Sequence, residues 1–406
     1  MEYKYIDIFA GCGGLSLGLL NAGWKGVFAI EKNADAFSTL KYNLIDNIDH
    51  FEWVDWLERK NHDINDVLVS HKKELKNLAG KIPLVVGGPP CQGFSMAGQR
   101  QKNDIRNKLV HSYIEFIKNV KPSYLFFENV HGFTVGFKNK NNKKTKPMSV
   151  YIVEELKKIG YKIHSEVVDL SEYGVPQKRK RFILVGSLTS EPEIFFNILK
   201  EKRQSFLANK NIECNVTMND AIGDLLSSNG RIPCPDSKGF MSGTYAEANT
   251  KYQAYMRRGI PDKVQPDSHR FTKHKEKTAE LFVTMQDVCE HGKRLSTNNT
   301  ELEGFKRRGI TILVANKACN TITSNPDDHL HYSEPRILTV RECARIQSFP
   351  DWYHFKGKYT TGGELRKLEV PRYTQVGNAI PPLFAEQVGQ ALILFMENGK
   401  HGETIV

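Results

Sequence analysis

The sequence lacks the features of several protein classes. Its 406 residues contain seven cysteines, scattered singly and without a Cys-x-x-Cys pair, which indicates neither a disulfide framework nor a zinc site. No apolar run approaches the ~18 residues that a membrane span needs. The N-terminus shows no basic segment followed by an apolar stretch, so no signal peptide is predicted. These absences predict a soluble protein that stays inside the cell and keeps its thiols reduced.

What the sequence does have is an excess of basic charge. Its 57 Lys and Arg outnumber 46 Asp and Glu, giving a formal net charge of +11. Such a charge favours a polyanionic partner, of which nucleic acid is the commonest. Apolar residues at 40% and charged residues at 25% are typical of globular proteins and exclude a disordered or collagen-like chain. The length suggests two or three domains.

About the first 190 residues alternate short apolar runs with helical spacing. Strands are predicted at residues 5–10, 26–30, 83–86, 124–127 and 181–187, and helices at about 15–22 and 108–120. This alternation predicts a parallel sheet with helices on both faces. Ligands of such sheets bind at the carboxyl ends of the strands.

Beyond residue 188 the alternation disappears. The polar composition of residues 188–333 predicts a second domain of irregular, partly β structure. His329 and His331 lie in this region, and without further ligands in register we expect surface histidines rather than a metal pair. Order returns at Thr339, which forms a capping-box pattern with Glu342 and opens a short helix through Ile346. A last helix is predicted over 383–396.

A glycine-rich turn follows the first predicted strand. Glycines let a ligand approach the backbone, and the start of the next helix offers free N–H groups. Glu31 ends the second strand 20 residues after Gly11, a spacing that suits hydrogen bonds to the ribose of a nucleoside-type cofactor. Taken alone, the turn is equally consistent with a tight strand–helix connection.

Cys91 follows two prolines at the end of the third predicted strand. Prolines stiffen the backbone and thereby fix the direction of the sulfur. A nucleophilic thiolate needs nearby positive charge or helix-terminal N–H groups, and the alternative is an inert cysteine in a turn. The rigid neighbourhood favours the nucleophile.

Charged residues mark the following two strands. Glu128 ends an apolar strand, where an unpaired buried carboxylate is costly, so it is either functional or a cap for the next turn. Arg179 and Arg181 begin the next strand, and the alternation of a strand predicts that they share one face. They are suited to binding a phosphate or a base carbonyl, the alternative being a solvated basic edge.

Six ordered motifs resemble those of the DNA (cytosine-5)-methyltransferase family of bacterial restriction–modification type. They lie at residues 7–14, 87–95, 128–130, 174–181, 339–350 and 375–382. The resemblance covers roughly residues 1–187 and 334–406 and departs from the family pattern at Pro83, where Asp is frequent. No clear motif frames the third cofactor-side acid, for which we take Asp63, with Asp55 as a lesser candidate.

The resemblance implies an α/β fold. It consists of a Rossmann-like, S-adenosylmethionine-dependent methyltransferase domain and a smaller, mostly irregular or β target-recognition domain. The implied boundaries are 1–188 for the catalytic and cofactor-binding domain, 189–333 for target recognition, 334–371 for a hinge and return segment, and 372–406 for the C-terminal part of the catalytic domain.

The resemblance also implies the site residues, with S-adenosylmethionine as the cofactor and no metal. The catalytic residues are Cys91, Glu128, Arg179 and Arg181. Arg179 is expected to hold the ring carbonyl of the base, and Arg181 to support the loop or to contact the carbonyl as well. The cofactor-binding residues are Asp7, Phe9, Gly11, Cys12, Gly13, Gly14, Glu31, Asp63, Ile64, Pro90 and Asn378. The expected DNA contacts are Gln92, Ser95, Arg257, Arg258, Arg307 and Arg308, although a simple surface charge is an alternative for each arginine.

The implied activity is methylation of carbon 5 of a flipped-out cytosine in a specific duplex DNA sequence, through a covalent adduct with Cys91. The implied context is a cytoplasmic, nucleoid-associated prokaryotic monomer with a separate restriction endonuclease as partner and no membrane. Three other functions stay open: RNA cytosine methylation, a catalytically silent DNA-binding regulator, and a nicotinamide-dependent oxidoreductase. The last would leave the Pro-Cys-Gln segment without a role.

Overall fold

The computed structural model describes residues 2–90, 107–136, 145–261, 264–295, 302, 309–361 and 369–402. Its strands are β1 (Lys4–Ile8), β2 (Lys25–Ile30), β3 (Leu84–Gly87), β4 (Tyr124–Val130), β5 (Lys162–Asp169), β6 (Gln177–Lys178), β7 (Lys180–Ser187), β8 (Arg231–Pro233), β9 (Met241–Gly243), β10 (Thr311–Ile312), β11 (Cys319–Asn320) and β12 (His329–Leu330). Its α-helices are α1 (Gly14–Asn21), α2 (Ala34–Leu40), α3 (Ile64–Ser70), α4 (Lys72–Asn77), α5 (Asn107–Val120), α6 (Met148–Lys158), α7 (Glu193–Asn209), α8 (Met218–Ile222), α9 (Lys251–Met256), α10 (Glu276–Val288), α11 (Val340–Ile346), α12 (Arg372–Asn378) and α13 (Pro382–Gly402).

The chain forms two compact units. The first contains Met1–Asp169, Lys180–Arg203 and Ala385–Val406, and the second contains Leu170–Arg179 and Gln204–Phe384. These bounds differ from the four segments expected from the sequence. The functional division into catalytic, recognition and hinge segments stays a prediction.

A six-stranded sheet forms the centre of the first unit, in the order β2-β1-β3-β4-β7-β5. The predicted parallel arrangement is confirmed for the first four strands of that order. It is wrong for the last two, because β7 runs antiparallel to both β4 and β5. Only residues 170–179 separate β5 from β7, which is too short for the crossover that parallel neighbours need.

Two strand ends differ from the sequence prediction. β1 stops at Ile8 because Phe9 adopts a left-handed φ of 67°, which ends the extended backbone. β4 continues past Phe127 to Val130, because its last residues pair with the beginning of β7, Val130 lying opposite Arg181. Glu128 therefore lies within a strand rather than after it.

The C-terminal helix α13 packs against α1, the helix that follows the glycine-rich turn. A Cβ at Gly18 would overlap the Cβ of Ala385, and a Cβ at Gly389 would lie 2.6 Å from the Cβ of Ala22. The indole N–H of Trp24 donates to the carbonyl of Gly389 at 3.0 Å. The end of the chain thus completes the core of the first unit.

One stretch of this region resembles a membrane helix in composition. Among the described residues, Arg372–Gly399 is long and apolar enough to cross a membrane, with a mean hydropathy of 1.3 in its most apolar window. However, 72% of that window is buried inside the protein, as in the core helix of a soluble fold.

The second unit has three two-stranded sheets, β10-β12, β11-β6 and β8-β9, of two or three residues a strand. The predicted irregular, partly β character of residues 188–333 is confirmed for all of these strands except β6, which lies before that range. The helices α7 and α10, which fall in the same range, were missed because their polar composition hides the helical spacing.

Buried charges hold the second unit around α11. The predicted capping box is confirmed, since the Thr339 hydroxyl accepts from the backbone N–H of Glu342 and the Glu342 carboxylate accepts from that of Thr339. Glu342 also binds the Arg336 guanidinium with two bonds of 2.7 and 2.8 Å. Arg345 is completely buried and pairs with both Asp224 and Asp351. Each buried charge has an opposite partner, which offsets its desolvation.

The prediction of surface histidines at 329 and 331 is wrong, since both side chains are buried. His331 Nδ1 accepts from the backbone N–H groups of Ser333 and Glu334, both at 3.2 Å. His269 is also buried and contacts the Thr339 hydroxyl. Burial lowers the pKa of each of the three histidines to about 4. They are therefore neutral in the folded protein above that pH.

We expect the free energy of unfolding to depend on these histidines in mild acid. An unfolded histidine binds a proton below about pH 6.5, whereas the folded one resists protonation down to about 4, so their contribution falls as the pH falls through that window. His331→Asn keeps an acceptor but removes the titration. Urea unfolding between pH 7 and 4.5 gives the free energy of unfolding at each pH. Its slope against pH should correspond to about one proton fewer taken up on unfolding in this variant than in wild type. The partly exposed His131→Asn is the control, and equal slopes in wild type and H331N would contradict the assignment.

Candidate active site

The strands β1, β2 and β3 end in one row, which continues to Phe127 inside β4. Ile8 pairs with both Ile30 and Gly87, and Gly87 pairs with Phe127. The residues that follow this row are Phe9, Glu31, Gly88 and Glu128. The predicted position at the carboxyl end of a strand is confirmed for Phe9, Glu31 and Gly88, while Glu128 lies beside them within β4.

The glycine-rich turn bends back at the end of β1. The backbone N–H groups of Phe9 and Ala10 both donate to the carbonyl of Ile30, at 2.9 and 3.0 Å. Gly11 and Gly13 have φ values of 57° and 88°, in the region that favours glycine. A Cβ at Gly11 would meet no atom within 4 Å, so open space lies beside the turn.

Two carboxylates line this turn. The Glu31 oxygens accept from the backbone N–H groups of Gly11 and Asn33, at 2.9 and 2.7 Å. Asp7 is buried and accepts from the Ser16 hydroxyl at 2.6 Å through one oxygen, while its Oδ1 is buried without a hydrogen-bond partner among the described residues. Burial raises the pKa of Asp7 to about 7, and the nearby Glu31 charge adds to this shift. Burial likewise raises the pKa of Glu31, against the backbone N–H groups that stabilise its charge. A cation bound here would relieve both shifts.

Cys12, inside the turn, is not a reactive thiol. Its side chain is buried, and burial raises its pKa to about 12. Since the thiolate is the nucleophilic form, Cys12 contributes backbone and packing rather than chemistry.

Asp63 lies close to Glu31, as the sequence prediction requires for a cofactor-side acid. The backbone N–H of His62 donates to the carbonyl of Glu31 at 2.8 Å, and the Lys32 ammonium pairs with Asp63 at 2.9 Å. Asp63 caps α3, and the buried Ile64 is the first residue of that helix. Among the described residues, Asp55 has no comparable hydrogen bond or ion pair with the residues around Glu31.

Glu128 approaches the backbone that leads to Cys91. A Cβ at Gly88 would lie 3.0 Å from Glu128 Oε2 and 3.1 Å from the Glu128 carbonyl, so glycine allows this approach. The next side chain, Asn129, is buried and donates to the carbonyl of Pro89 at 3.0 Å. The end of β4 thus holds the segment Gly88–Pro90, in which Pro90 is exposed.

Arg181 pairs with Glu128. Its Nε lies 2.8 Å from Glu128 Oε1, and both side chains are nearly buried. Burial lowers the pKa of the Arg181 guanidinium, and the Glu128 carboxylate opposes that shift. The pair therefore places opposite charges side by side near the carboxyl end of β4.

Arg179 has different partners, so the prediction of one continuous strand with both arginines on one face is wrong. The strand is interrupted at Arg179, which belongs to the second unit. Its guanidinium is 1% exposed and donates to the carbonyls of Ile322, Gly377 and Ala379, at 3.0–3.1 Å. Because this guanidinium is buried and hydrogen-bonded to backbone carbonyls, the predicted contact with a base carbonyl is disfavoured.

The late motifs of the second unit share one buried network. Gln347 donates to the carbonyl of Val376 at 2.6 Å and accepts from the Gln177 side chain at 2.6 Å. Together with Arg179, it holds the carbonyls that flank Asn378, whose own side chain is exposed. The motifs at 174–181, 339–350 and 375–382 therefore support one another.

The predicted DNA contacts differ in what the structure describes. Arg257 donates to the carbonyl of Ala246 at 2.6 Å and lies over the Tyr245 ring, and Arg258 lies 3.6 Å over the Tyr255 ring. Both are partly exposed side chains of the second unit. Several predicted residues lie outside the described residues, namely Cys91, Gln92, Ser95, Arg307 and Arg308.

Three residues of this site were missed by sequence reasoning. Gly88 could have been found, because a second glycine directly before two prolines indicates a close backbone approach. Asn129 was read as part of a motif without a role, and Ser16 is an ordinary helical serine with no signal. Their roles depend on what the fold brings next to them.

The whole sequence matches a known family. Residues 3–394 match the model of the C-5 cytosine-specific DNA methylases. The chain belongs to this family. It is therefore a DNA cytosine-5 methyltransferase, which disfavours the oxidoreductase alternative.

Curated relatives and solved structures agree with this membership. The chain is 31% identical over 408 residues to Type II methyltransferase M.DdeI of Desulfomicrobium norvegicum, covering 97% of this chain and 89% of the relative. It is 30% identical to Type II methyltransferase M.XorII of Xanthomonas oryzae pv. oryzae, covering 95% and 83%. A DNA modification methyltransferase encoded within a prophage (E. coli) has the same fold, with a TM-score of 0.63, 22% identity, and coverage of 98% and 100%. The predicted α/β methyltransferase fold is confirmed.

We expect Asn129→Ala to slow methyl transfer about tenfold, because the Pro89 carbonyl and the segment leading to Cys91 lose their buried donor. Single-turnover rates of methyl transfer to DNA measure this effect. Asn119→Ala is the matched control, since Asn119 is also buried and donates to a backbone carbonyl of the same unit, that of Glu115. Equal rates in the two variants, at equal thermal stability, would show that Asn129 does not anchor the segment.

Proposed function

We propose that this protein transfers a methyl group from S-adenosylmethionine to carbon 5 of a flipped-out cytosine in a specific duplex DNA sequence. The main support for this proposal is the pairing of Glu128 with Arg181. Glu128 lies against Gly88, which precedes Cys91 by three residues. The relatives named Type II methyltransferases support a role as the methyltransferase of a restriction–modification system.

Several observations on the first unit support S-adenosylmethionine as the cofactor. Open space lies beside Gly11, and a partnerless oxygen of Asp7 is buried next to Glu31. A cationic ligand is favoured by such carboxylates. When bound, the cofactor supplies an electrophilic methyl group on a sulfonium. We assign its binding to Asp7, Phe9, Gly11, Cys12, Gly13, Gly14, Glu31, Asp63, Ile64 and Pro90, with Glu31 at the ribose hydroxyls. The role of Asn378 stays a prediction.

Cys91 activates the base in this proposal. Carbon 5 of cytosine is a poor nucleophile, and addition of the Cys91 thiolate to carbon 6 makes the ring an enamine whose carbon 5 is reactive. Carbon 5 would then take the methyl group as the methyl–sulfur bond of the sulfonium breaks, leaving the demethylated cofactor as a neutral thioether. Loss of the carbon 5 proton and cleavage of the sulfur–carbon 6 bond regenerate the thiolate and release methylated cytosine.

Glu128 and Arg181 stabilise the ring during this chemistry. Glu128 binds ring N3 and the exocyclic amine, where charge develops when the thiolate adds. Its pairing with Arg181 leads us to assign the contact with the ring carbonyl to Arg181 and to make Arg179 a structural residue. Because stacking hides the base in duplex DNA, the cytosine has to be flipped out.

The family is named for action on DNA, and the net charge of +11 favours a polyanion of this kind, so we propose duplex DNA as the substrate. We propose DNA contacts for Arg257 and Arg258, and for the undescribed Gln92, Ser95, Arg307 and Arg308. Arg257 donates to the Ala246 carbonyl at 2.6 Å and lies 3.6 Å from the Asp224 carboxylate. Arg258 has a longer bond, to the Tyr255 carbonyl at 3.5 Å, so it is the more available of the first two. We propose further that the enzyme acts as a monomer in the prokaryotic cytoplasm, separately from a cognate restriction endonuclease.

The decisive experiment uses labelled S-adenosylmethionine, mixed-sequence duplex DNA, and the wild type beside Cys91→Ala. We expect label on DNA cytosine with wild type only, while cofactor affinity in the variant stays within about threefold because the thiol is not needed for binding. Mapping of the methylated positions gives the recognition sequence. Normal turnover by C91A would overturn the covalent mechanism.

Two other results would favour the remaining alternatives. Label on tRNA but not on DNA would indicate RNA methylation. Label on neither, with retained DNA binding, would indicate a silent regulator.

We expect Glu31→Ala to weaken cofactor binding by about 1–3 kcal/mol, because two hydrogen bonds to ribose hydroxyls are lost. Calorimetry measures the dissociation constant. Glu52→Ala, at an exposed glutamate of the same unit, is the control, and thermal unfolding of both variants reports any loss of fold. An unchanged dissociation constant for E31A would remove this assignment.

A further inference from the structure

The Asp63 carboxylate is oriented by a neighbouring side chain. Its Oδ1 accepts from Asn65 twice, from the backbone N–H at 2.8 Å and from the side-chain amide at 2.9 Å. Its Oδ2 pairs with Lys32 at 2.9 Å, and the Lys32 side chain is 79% exposed. Oδ1 is therefore held by the protein, whereas Oδ2 faces a partner that a ligand can readily displace.

Asn65 is in turn held by Ser112. The Ser112 hydroxyl donates to Asn65 Oδ1 at 2.7 Å. Since a carboxylate only accepts hydrogen bonds, the Asn65 amide nitrogen has to face Asp63 and its oxygen has to face Ser112. Ser112 is 6% exposed, so its position is fixed by packing rather than by solvent.

Ser112 lies on a helix with a second connection to the site. Helix α5 begins at Asn107, where the chain returns from the segment that contains Cys91. The single hydroxyl proton of Ser112 is shared between the Asn65 oxygen, at 2.7 Å, and the more distant carbonyl of Lys108 in the first turn of α5, at 3.0 Å. One serine thus links the beginning of this helix to the acid beside Glu31.

We propose that Ser112, acting through Asn65, is a positioning residue that aims the Asp63 carboxylate at a hydrogen-bond donor of the cofactor. The inference rests on the proposed function, in which Asp63 binds S-adenosylmethionine. The ligand group is an N–H donor such as an exocyclic amine, which exchanges with Lys32 at Oδ2. Neither Ser112 nor Asn65 touches the ligand.

The ionisation of Asp63 agrees with this role. Partial burial opposes the charge, but the Lys32 ammonium and the Asn65 N–H groups together lower the pKa of the carboxyl. Asp63 is therefore an ionised acceptor at neutral pH, and what Asn65 adds is its direction.

The test measures cofactor affinity by calorimetry without DNA, followed by the KM for S-adenosylmethionine and kcat with DNA. We expect Ser112→Ala to raise the dissociation constant and the KM about three- to tenfold, with kcat at saturating cofactor within about twofold. Ser112→Thr keeps the hydroxyl and should restore the affinity. Asn65→Ala should match Ser112→Ala, and the double variant should be no worse than Asn65→Ala, because both act through one connection.

Ser38→Ala is the matched control. Ser38 is a partly buried helical serine of the same unit whose hydroxyl donates only to the backbone carbonyl of Asp35, at 2.7 Å. It therefore reproduces the lost backbone bond without the bond to Asn65. We expect its dissociation constant to equal that of wild type.

Three results would overturn the inference. They are equal affinity in S112A and S38A, an equal loss in S112A and S112T, and additive effects of S112A and N65A. If the wild type binds no S-adenosylmethionine, the proposed function fails together with this inference. If the wild type binds and methylates while S112A is unaffected, only the inference fails.

Discussion

The candidate active site of the first unit depends on one close approach, that of the end of β4 to the backbone after β3. The absence of a side chain at Gly88 lets the Glu128 carboxylate lie against this backbone, and Asn129 ties the Pro89 carbonyl from the same strand. Both contacts require β4 to continue past Phe127, which it does by pairing with β7. The antiparallel β7 then brings Arg181 to Glu128, so that the buried carboxylate has a cation beside it.

The two arginines of the Gln-x-Arg-x-Arg element have been separated by a break in the strand. Arg181 forms an ion pair with the Glu128 carboxylate, while Arg179 donates hydrogen bonds to three backbone carbonyls. A buried guanidinium is tolerated only when its donors are satisfied, and the planar fork of arginine suits several carbonyls at once. Together with Gln177 and Gln347, Arg179 makes the late motifs of the sequence parts of one folded network in the second unit.

Burial of the Asp7 carboxyl at the glycine-rich turn lowers the stability of the first unit. Burial raises the pKa of Asp7 to about 7, so ionising it at neutral pH works against folding. Groups with such shifts are found most often where a ligand or a reaction uses them. A cation beside Asp7 and Glu31 would stabilise both carboxylates in their charged form, which is why we propose a cationic cofactor at this turn.

The sequence alone determined the alternation of β1 to β4 with helices, the row of strand ends, the capping box at Thr339, and the order of motifs that identifies the family. These features are local, because they depend on periodicity, turn chemistry and spacing. Only the tertiary structure decided the direction of β7, the burial of His329 and His331, and the different partners of Arg179 and Arg181. Alternation along a strand says which residues share a face but not where the strand breaks. Composition likewise cannot tell a buried histidine from an exposed one, because burial depends on segments distant in the chain. Gln286 contacts the His331 carbonyl in this way, and Thr339 contacts the His269 ring.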